Sequence, residues 1–250
     1  MTAWLIQAVV FCAGACVADA RAGEVIVAVA ANVSGPMQKI ATHFEQDTGH
    51  QAKLVVGSTG KLYAQIKNGA PFDVLLAADD ETPRKLEQEN LAVPGTRVTY
   101  AIGRLALWSA QPGVVDDKGE VLRQNRDARL AIADARLAPC GAAALQVLDK
   151  LKLREAWQAR WVQGENIAQT WQFVATGNAT LGFVALSQVW VDGRLTQGSM
   201  WLVPESLHDS LRQDAVLLVR GQDNEAARSW LSYARGTKAR AVLRNSGYSF

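Results

Sequence analysis

Glu24-Val25-Ile26-Val27-Ala28-Val29-Ala30-Ala31-Asn32-Val33-Ser34-Gly35-Pro36-Met37 is the stretch on which the fold turns. A β-branched run gives way to a turn of small and polar residues, after which Met37, Ile40, Ala41 and Phe44 recur at helical spacing up to Gly49. The reading is strand, turn, helix, and the unit repeats. Ala52 to Val56 predicts a second strand, and Leu62 and Ile66 a helix that stops at Asn68-Gly69. Phe72 to Leu76 predicts a third strand and Pro83 to Asn90 a third helix. Short apolar strands alternating with amphipathic helices predict a mostly parallel sheet covered on both faces, the α/β class.

Tyr100 to Trp108 is a run long enough to leave one sheet and enter another, so a second lobe starts there. Within it Leu130 to Ala133 reads as a strand, Ala144, Leu145, Leu148 and Leu151 mark a helix, and Ile167, Trp171 and Val174 mark another before a strand at Leu181 to Val184. Ala215 to Val219 is again β-like and carries the chain back, and helices at Glu225 to Tyr233 and Lys238 to Leu243 then pack on the first lobe. The expectation is two α/β lobes with mostly parallel sheets joined by a two-crossover hinge. Lobe 1 takes residues 23–102 and 217–250, lobe 2 residues 103–216. Such a hinge closes on a ligand held between the lobes.

At 250 residues and 49% apolar content the chain can bury a sizeable core. Lys and Arg number 26 against 24 Asp and Glu, and no basic run is interleaved with aromatics, so no nucleic-acid partner is expected. Met1 to Ala22 differs from the rest: Ala8 to Ala13 is nearly without polarity but too short to span a bilayer, and Ala20-Arg21-Ala22 offers a small-x-small cleavage site. It reads as an export signal and predicts a periplasmic location. Cys16, after Ala13-Gly14-Ala15, leaves lipid attachment open as an alternative, although an aliphatic residue such as Leu normally stands where Ala13 does. If Cys12 and Cys16 leave with the signal, Cys140 is the single thiol, and neither a disulfide framework nor a cysteine metal cluster can form.

Four turns are rich in small neutral polar residues: Ala30 to Pro36, Val56-Gly57-Ser58-Thr59-Gly60-Lys61, Ala138-Pro139-Cys140-Gly141, and Gly164-Glu165-Asn166-Ile167. Each is expected to aim free N–H groups and the positive end of a helix at the crevice beyond the strand ends. Any one of them is most simply an ordinary cap, Asn32 included. The set of four, in two lobes, predicts a neutral cage in which dipoles rather than Arg or Lys hold a fully ionised tetrahedral dianion. Gly57 to Lys61 is not a nucleotide P-loop, because that motif needs Gly and Ser or Thr where Val55 and Leu62 stand. His43, His50 and His208 have no partners at ligand spacing and read as surface residues, so no metal cation is expected. Cys140 reads as a small residue lining the neck, or as a nucleophile activated by a helix N-terminus, with no His to serve it. Asp79-Asp80-Glu81 before Thr82-Pro83 fits a helix start rather than a catalytic pair. A binding protein is therefore expected before an exported enzyme using Cys140.

Val29-Ala30-Ala31-Asn32 with Met37-Gln38-Lys39-Ile40-Ala41, Gly57-Ser58-Thr59-Gly60 with Tyr63-Ala64-Gln65-Ile66, and Gly69-Ala70-Pro71-Phe72-Asp73-Val74 form one ordered set. Ala131-Ile132-Ala133-Asp134, Ala138-Pro139-Cys140-Gly141, Leu181-Gly182-Phe183-Val184-Ala185 and the closing Gly247-Tyr248 continue it. In this order and spacing the chain resembles the molybdate-binding proteins of bacterial ABC importers, which have the type II periplasmic binding-protein architecture. The resemblance covers nearly all of the chain after residue 22. It implies molybdate or tungstate as ligand, no cofactor, a membrane ABC permease as partner and a monomeric protein. By position it implies that Ala31 and Asn32, Ser58 and Thr59, Cys140, and Ile167 hold the anion, the last two through main-chain N–H groups. Three positions depart from relatives: Ala185 stands where some place a Tyr hydroxyl on the anion, Cys140 where others have an aromatic, and Asn32 where many have Ser. Sulfate, phosphate or chromate in the same fold is the alternative ligand.

Overall fold

The computed structural model describes residues 22–124 and 127–250. The expected export signal, with Cys12 and Cys16, lies outside the described residues apart from Ala22. The chain opens with β1 (Glu24–Ala30), a short 3-10 turn, α1 (Ser34–Thr48), β2 (Gln51–Gly57), α2 (Thr59–Lys67), β3 (Val74–Leu76), α3 (Glu81–Gln88) and β4 (Val98–Gly103). These are the three strand-helix units read from the sequence, followed by the crossover strand. Period-two alternation sorts β1 onto two cores. Val25, Val27 and Val29 pack with Met37, Ile40 and Phe44 of α1, while Ala28 packs on the other face with Leu62 and Ile66 of α2 and Leu86 of α3.

After Arg104 the chain enters the second lobe as β5 (Leu105–Ser109), then α4 (Val121–Gln124), β6 (Leu130–Ala133), α5 (Pro139–Lys150), α6 (Arg154–Gln158), β7 (Trp161–Gly164) and α7 (Ile167–Ala175). It continues through β8 (Leu181–Ala185), the small ribbon β9 (Trp190–Val191) with β10 (Arg194–Leu195), and β11 (Ser199–Leu202). The second crossover leads to β12 (Leu211–Leu217), and α8 (Glu225–Tyr233) and α9 (Thr237–Asn245) close the chain against lobe 1, where Trp230 and Leu243 join the core of Phe44.

The first sheet has the order β2-β1-β3-β12-β4 and the second β11-β5-β8-β6-β7. In each sheet one strand, β12 or β5, runs against the other four, and it is the strand that receives a crossover. The sheets are thus mostly parallel, as expected, with the reversals concentrated at the hinge. Because β12 pairs with β4 from Leu211, the chain rejoins the first sheet ahead of the boundary expected at 217. The early part of this strand was hidden by polarity: Gln213 and Asp214 are buried, Gln213 accepting from the Tyr100 hydroxyl at 2.9 Å and Asp214 pairing with Arg97 at 2.8 Å. Two histidines also differ from expectation. His50 is buried, stacks on Phe44 and accepts from the Gly23 N–H at 2.9 Å, and His208 is buried with Nδ1 against the Asp209 carbonyl at 2.6 Å.

Candidate functional site

Strands β1, β2, β6 and β7 end at the cleft; β1 runs straight into the 3-10 turn Ala31–Val33 and β2 reaches α2 through Ser58 alone, while the short loops 134–138 and 165–166 lead from β6 and β7 to α5 and α7. Parallel strands bring their C-terminal ends to one side of each sheet, so the 3-10 turn and three helix starts meet where the lobes face each other. Between them lies a narrow cavity of about 10 Å³. All six residues expected at the site, Ala31, Asn32, Ser58, Thr59, Cys140 and Ile167, line it, together with Ala30, Ala78, Ala138, Pro139 and Asn166. No charged side chain lines this cavity.

The two hydroxyls and the helix-start N–H groups are free to donate. Ser58 is the N-cap residue of α2 and its buried Oγ has no hydrogen-bond partner. Thr59, the first residue of α2, accepts the Ala78 N–H on Oγ1 at 3.0 Å, which leaves the hydroxyl proton free to be donated. Cys140 and Ile167 occupy the second position of α5 and the first of α7, where a backbone N–H has no carbonyl four residues back within its helix. Asn166 is a genuine cap: its side chain accepts from the N–H groups of Ala168 and Gln169, both at 3.0 Å. Asn32 is not. It sits inside the 3-10 turn ahead of α1 and makes no side-chain cap bond; its Nδ2 donates to the Tyr248 hydroxyl at 3.3 Å, and its buried Oδ1 has no partner.

Cys140 does not carry the nucleophile reading. Its position at a helix start favours the thiolate, but burial dominates and pushes the thiol from 9.0 up to about 12, so it is uncharged at neutral pH. Burial likewise holds the Tyr248 hydroxyl well above its usual range. The cavity therefore offers a dianion hydroxyls, amides and the positive ends of α2, α5 and α7, with no fixed charge beside it. Among the described residues no three His, Cys, Asp or Glu side chains gather at metal-ligating distance. A larger open groove adjoins the cavity, but Asp79, Asp80, Glu81 and Asp209 line it against the single cation Arg136, itself paired with Asp134 at 2.9 Å, so the balance of charge there repels an anion.

The lobes touch across the cleft beside the cavity. Gly60 N–H donates to the Leu137 carbonyl at 2.9 Å, and a side chain at Gly60 would meet the Leu137 Cα at 3.1 Å, so a larger residue there would have to push the backbones apart by a few tenths of an ångström. Lys61 pairs with Glu165 at 2.9 Å on the exposed rim. Ser187, which sequence reasoning missed, and Tyr248, quoted there only as part of the resemblance, meet Asn32 from behind the cavity.

A family model described as bacterial extracellular solute-binding protein matches residues 25–249, nearly the whole chain. The chain belongs to this family. As a solute-binding protein it is 56% identical over 236 residues to the molybdate-binding protein ModA of Azotobacter vinelandii, covering 94% of each chain. It is 46% identical over 229 residues to the molybdate-binding protein ModA of Rhodobacter capsulatus, covering 92% of this chain and 89% of that one. Among solved structures, the Azotobacter vinelandii periplasmic molybdate-binding protein superposes with a TM-score of 0.87 at 38% identity, covering 90% of this chain and 99% of the other. The two-lobed fold and the kinship with molybdate-binding proteins agree with the resemblance drawn from the sequence, and these relatives are named as binding proteins.

Proposed function

We propose that this solute-binding protein captures molybdate, and tungstate as its near twin, in the interlobe cavity, and delivers it in the periplasm to a membrane ABC permease. One observation carries the reading: a buried, uncharged cavity in which the Ser58 hydroxyl has no protein partner, the Thr59 proton is free, and three helix starts converge. An isolated Ser hydroxyl taken out of water costs free energy unless a ligand completes it, and a dianion does so with charge-assisted bonds. Kinship with proteins named for molybdate supports the choice among oxyanions.

Ala31, Asn32, Ser58, Thr59, Cys140 and Ile167 hold the anion, with Cys140 and Ile167 acting through main-chain N–H groups. The protein works as an exported monomer after loss of residues 1–22, needs no cofactor and performs no turnover. Fixed donors in a closed cavity favour one bond length, which is how molybdate and tungstate are separated from the smaller sulfate. Isothermal titration with molybdate, tungstate, sulfate and phosphate at fixed salt tests this. Tight one-to-one binding of the first two with sulfate silent is expected; preference for sulfate or phosphate overturns the ligand.

A further inference from the structure

The 3-10 turn Leu186–Gln188, directly after β8, reaches two of the four cage loops. Gln188 works within lobe 2. Its Oε1 accepts from the Ala185 N–H and its Nε2 donates to the Ile167 carbonyl, both at 3.0 Å, so both ends of the amide are used and its orientation is set. Ser187 works between the lobes. Its Oγ donates to the Asn32 carbonyl at 2.6 Å, and the Tyr248 hydroxyl, anchored in the lobe 1 core, donates to the same oxygen at 2.9 Å. The two hydroxyls lie 3.1 Å apart, and Asn32 Nδ2 donates to the Tyr248 oxygen. The proton count closes: two hydroxyl protons fill the two lone pairs of one carbonyl, and the amide proton fills the tyrosine oxygen.

We propose that Ser187 and Gln188 are positioning residues for anion capture, which rests on the cavity being the anion site. Gln188 holds the first turn of α7, and with it the Ile167 N–H, at the cavity. Ser187 locks the Asn32 loop to lobe 2 when the lobes close. The bond from Ser187 to Asn32 joins the lobes, so opening breaks it and closure forms it. A contact made in the closed state alone shifts the opening equilibrium and slows escape of the anion, leaving first encounter unaffected. Ala185 itself brings no polar side chain to the cage, and the turn that follows it supplies the coupling instead.

The test is stopped-flow molybdate binding, followed through tryptophan fluorescence, with Trp171 of α7 stacked on Trp108 at 6.2 Å as a reporter near the Ile167 loop. Ser187→Ala is expected to raise the dissociation rate about 3- to 10-fold with the association rate unchanged. Its melting temperature without anion stays that of wild type, the stabilisation by molybdate shrinks, and Ser187→Thr restores slow release. An unchanged dissociation rate in Ser187→Ala, measured beside a Ser58→Ala variant that has lost affinity, overturns the positioning role while sparing the site. Equal silence of both variants overturns the site and the inference with it. A fall in anion-free melting temperature with both rates unchanged also overturns the role, because it marks a purely structural bond.

Discussion

Ser58→Ala separates ligand binding from folding. Ser58 is buried, 3% exposed, and its Oγ meets no protein group, so removing the oxygen orphans nothing in the fold. In the proposed complex the same oxygen donates to a dianion, and a hydrogen bond to a charged group is worth about 1.5–3 kcal/mol. At about 1.4 kcal/mol per decade, affinity falls roughly 10- to 150-fold. The neighbouring Thr59→Val provides the contrast. Thr59 Oγ1 accepts the Ala78 N–H at 3.0 Å, so the valine both loses a donor to the anion and strands a buried backbone N–H, which costs the fold about 1–3 kcal/mol. Calorimetric titration with molybdate, paired with melting of the anion-free proteins, reads both effects. Ser58→Ala is expected to bind weakly and melt like wild type, and Thr59→Val to bind weakly and melt early. Wild-type affinity in Ser58→Ala refutes the reasoning, as does a loss of stability equal to that of Thr59→Val.

Three further outcomes follow from the same geometry. Because burial raises the Cys140 thiol from 9.0 to about 12, the folded protein keeps a proton that the unfolded chain releases; this contribution is complete below pH 9.0 and is lost as pH rises toward about 12. Denaturant titrations at about pH 8 and about pH 10 should therefore show a smaller loss of stability for Cys140→Ser than for wild type, and equal losses contradict the burial. A Cβ at Gly141 would meet the Ala133 carbonyl oxygen at 2.3 Å, so Gly141→Ala must push the start of α5 off β6. It is expected to cost about 1–3 kcal/mol in melting and to weaken molybdate binding by displacing the Cys140 N–H; an unchanged melting curve argues against that packing. Lys61→Ala removes an exposed pair on the rim, 52% and 46% exposed, and should change affinity by less than about 1 kcal/mol, with the difference fading in salt. A larger effect that survives high salt places Lys61 in the site.

The strand-turn-helix units of lobe 1 were legible because strand ends, caps and helix faces each leave a local signature, and the turns around Asn32, Ser58, Cys140 and Ile167 carry theirs within a few residues. Those four turns meet at one cavity because parallel strands leave their C-terminal ends on one side, a regularity of topology that a list of turns can exploit. What stayed hidden lacks a local signature. Asn32 reads as a cap by residue type, yet its side chain turns to Tyr248, 216 positions away, and Ser187 reaches the Asn32 carbonyl from 155 positions away. No periodicity links such residues. The opening of β12 was obscured because Gln213 and Asp214 break the apolar pattern, and their partners Tyr100 and Arg97 are distant in sequence. His50 and His208 look like surface residues by polarity alone, while the fold buries both.

The most direct test is an anomalous difference map at the molybdenum edge from crystals grown with molybdate. A single peak in the interlobe cavity is predicted, with its oxygens ~3 Å from Ser58 Oγ, Thr59 Oγ1 and the N–H groups of Cys140 and Ile167. A peak in the neighbouring groove beside Asp79, Asp80 and Glu81, or no peak between the lobes, would contradict the neutral cage.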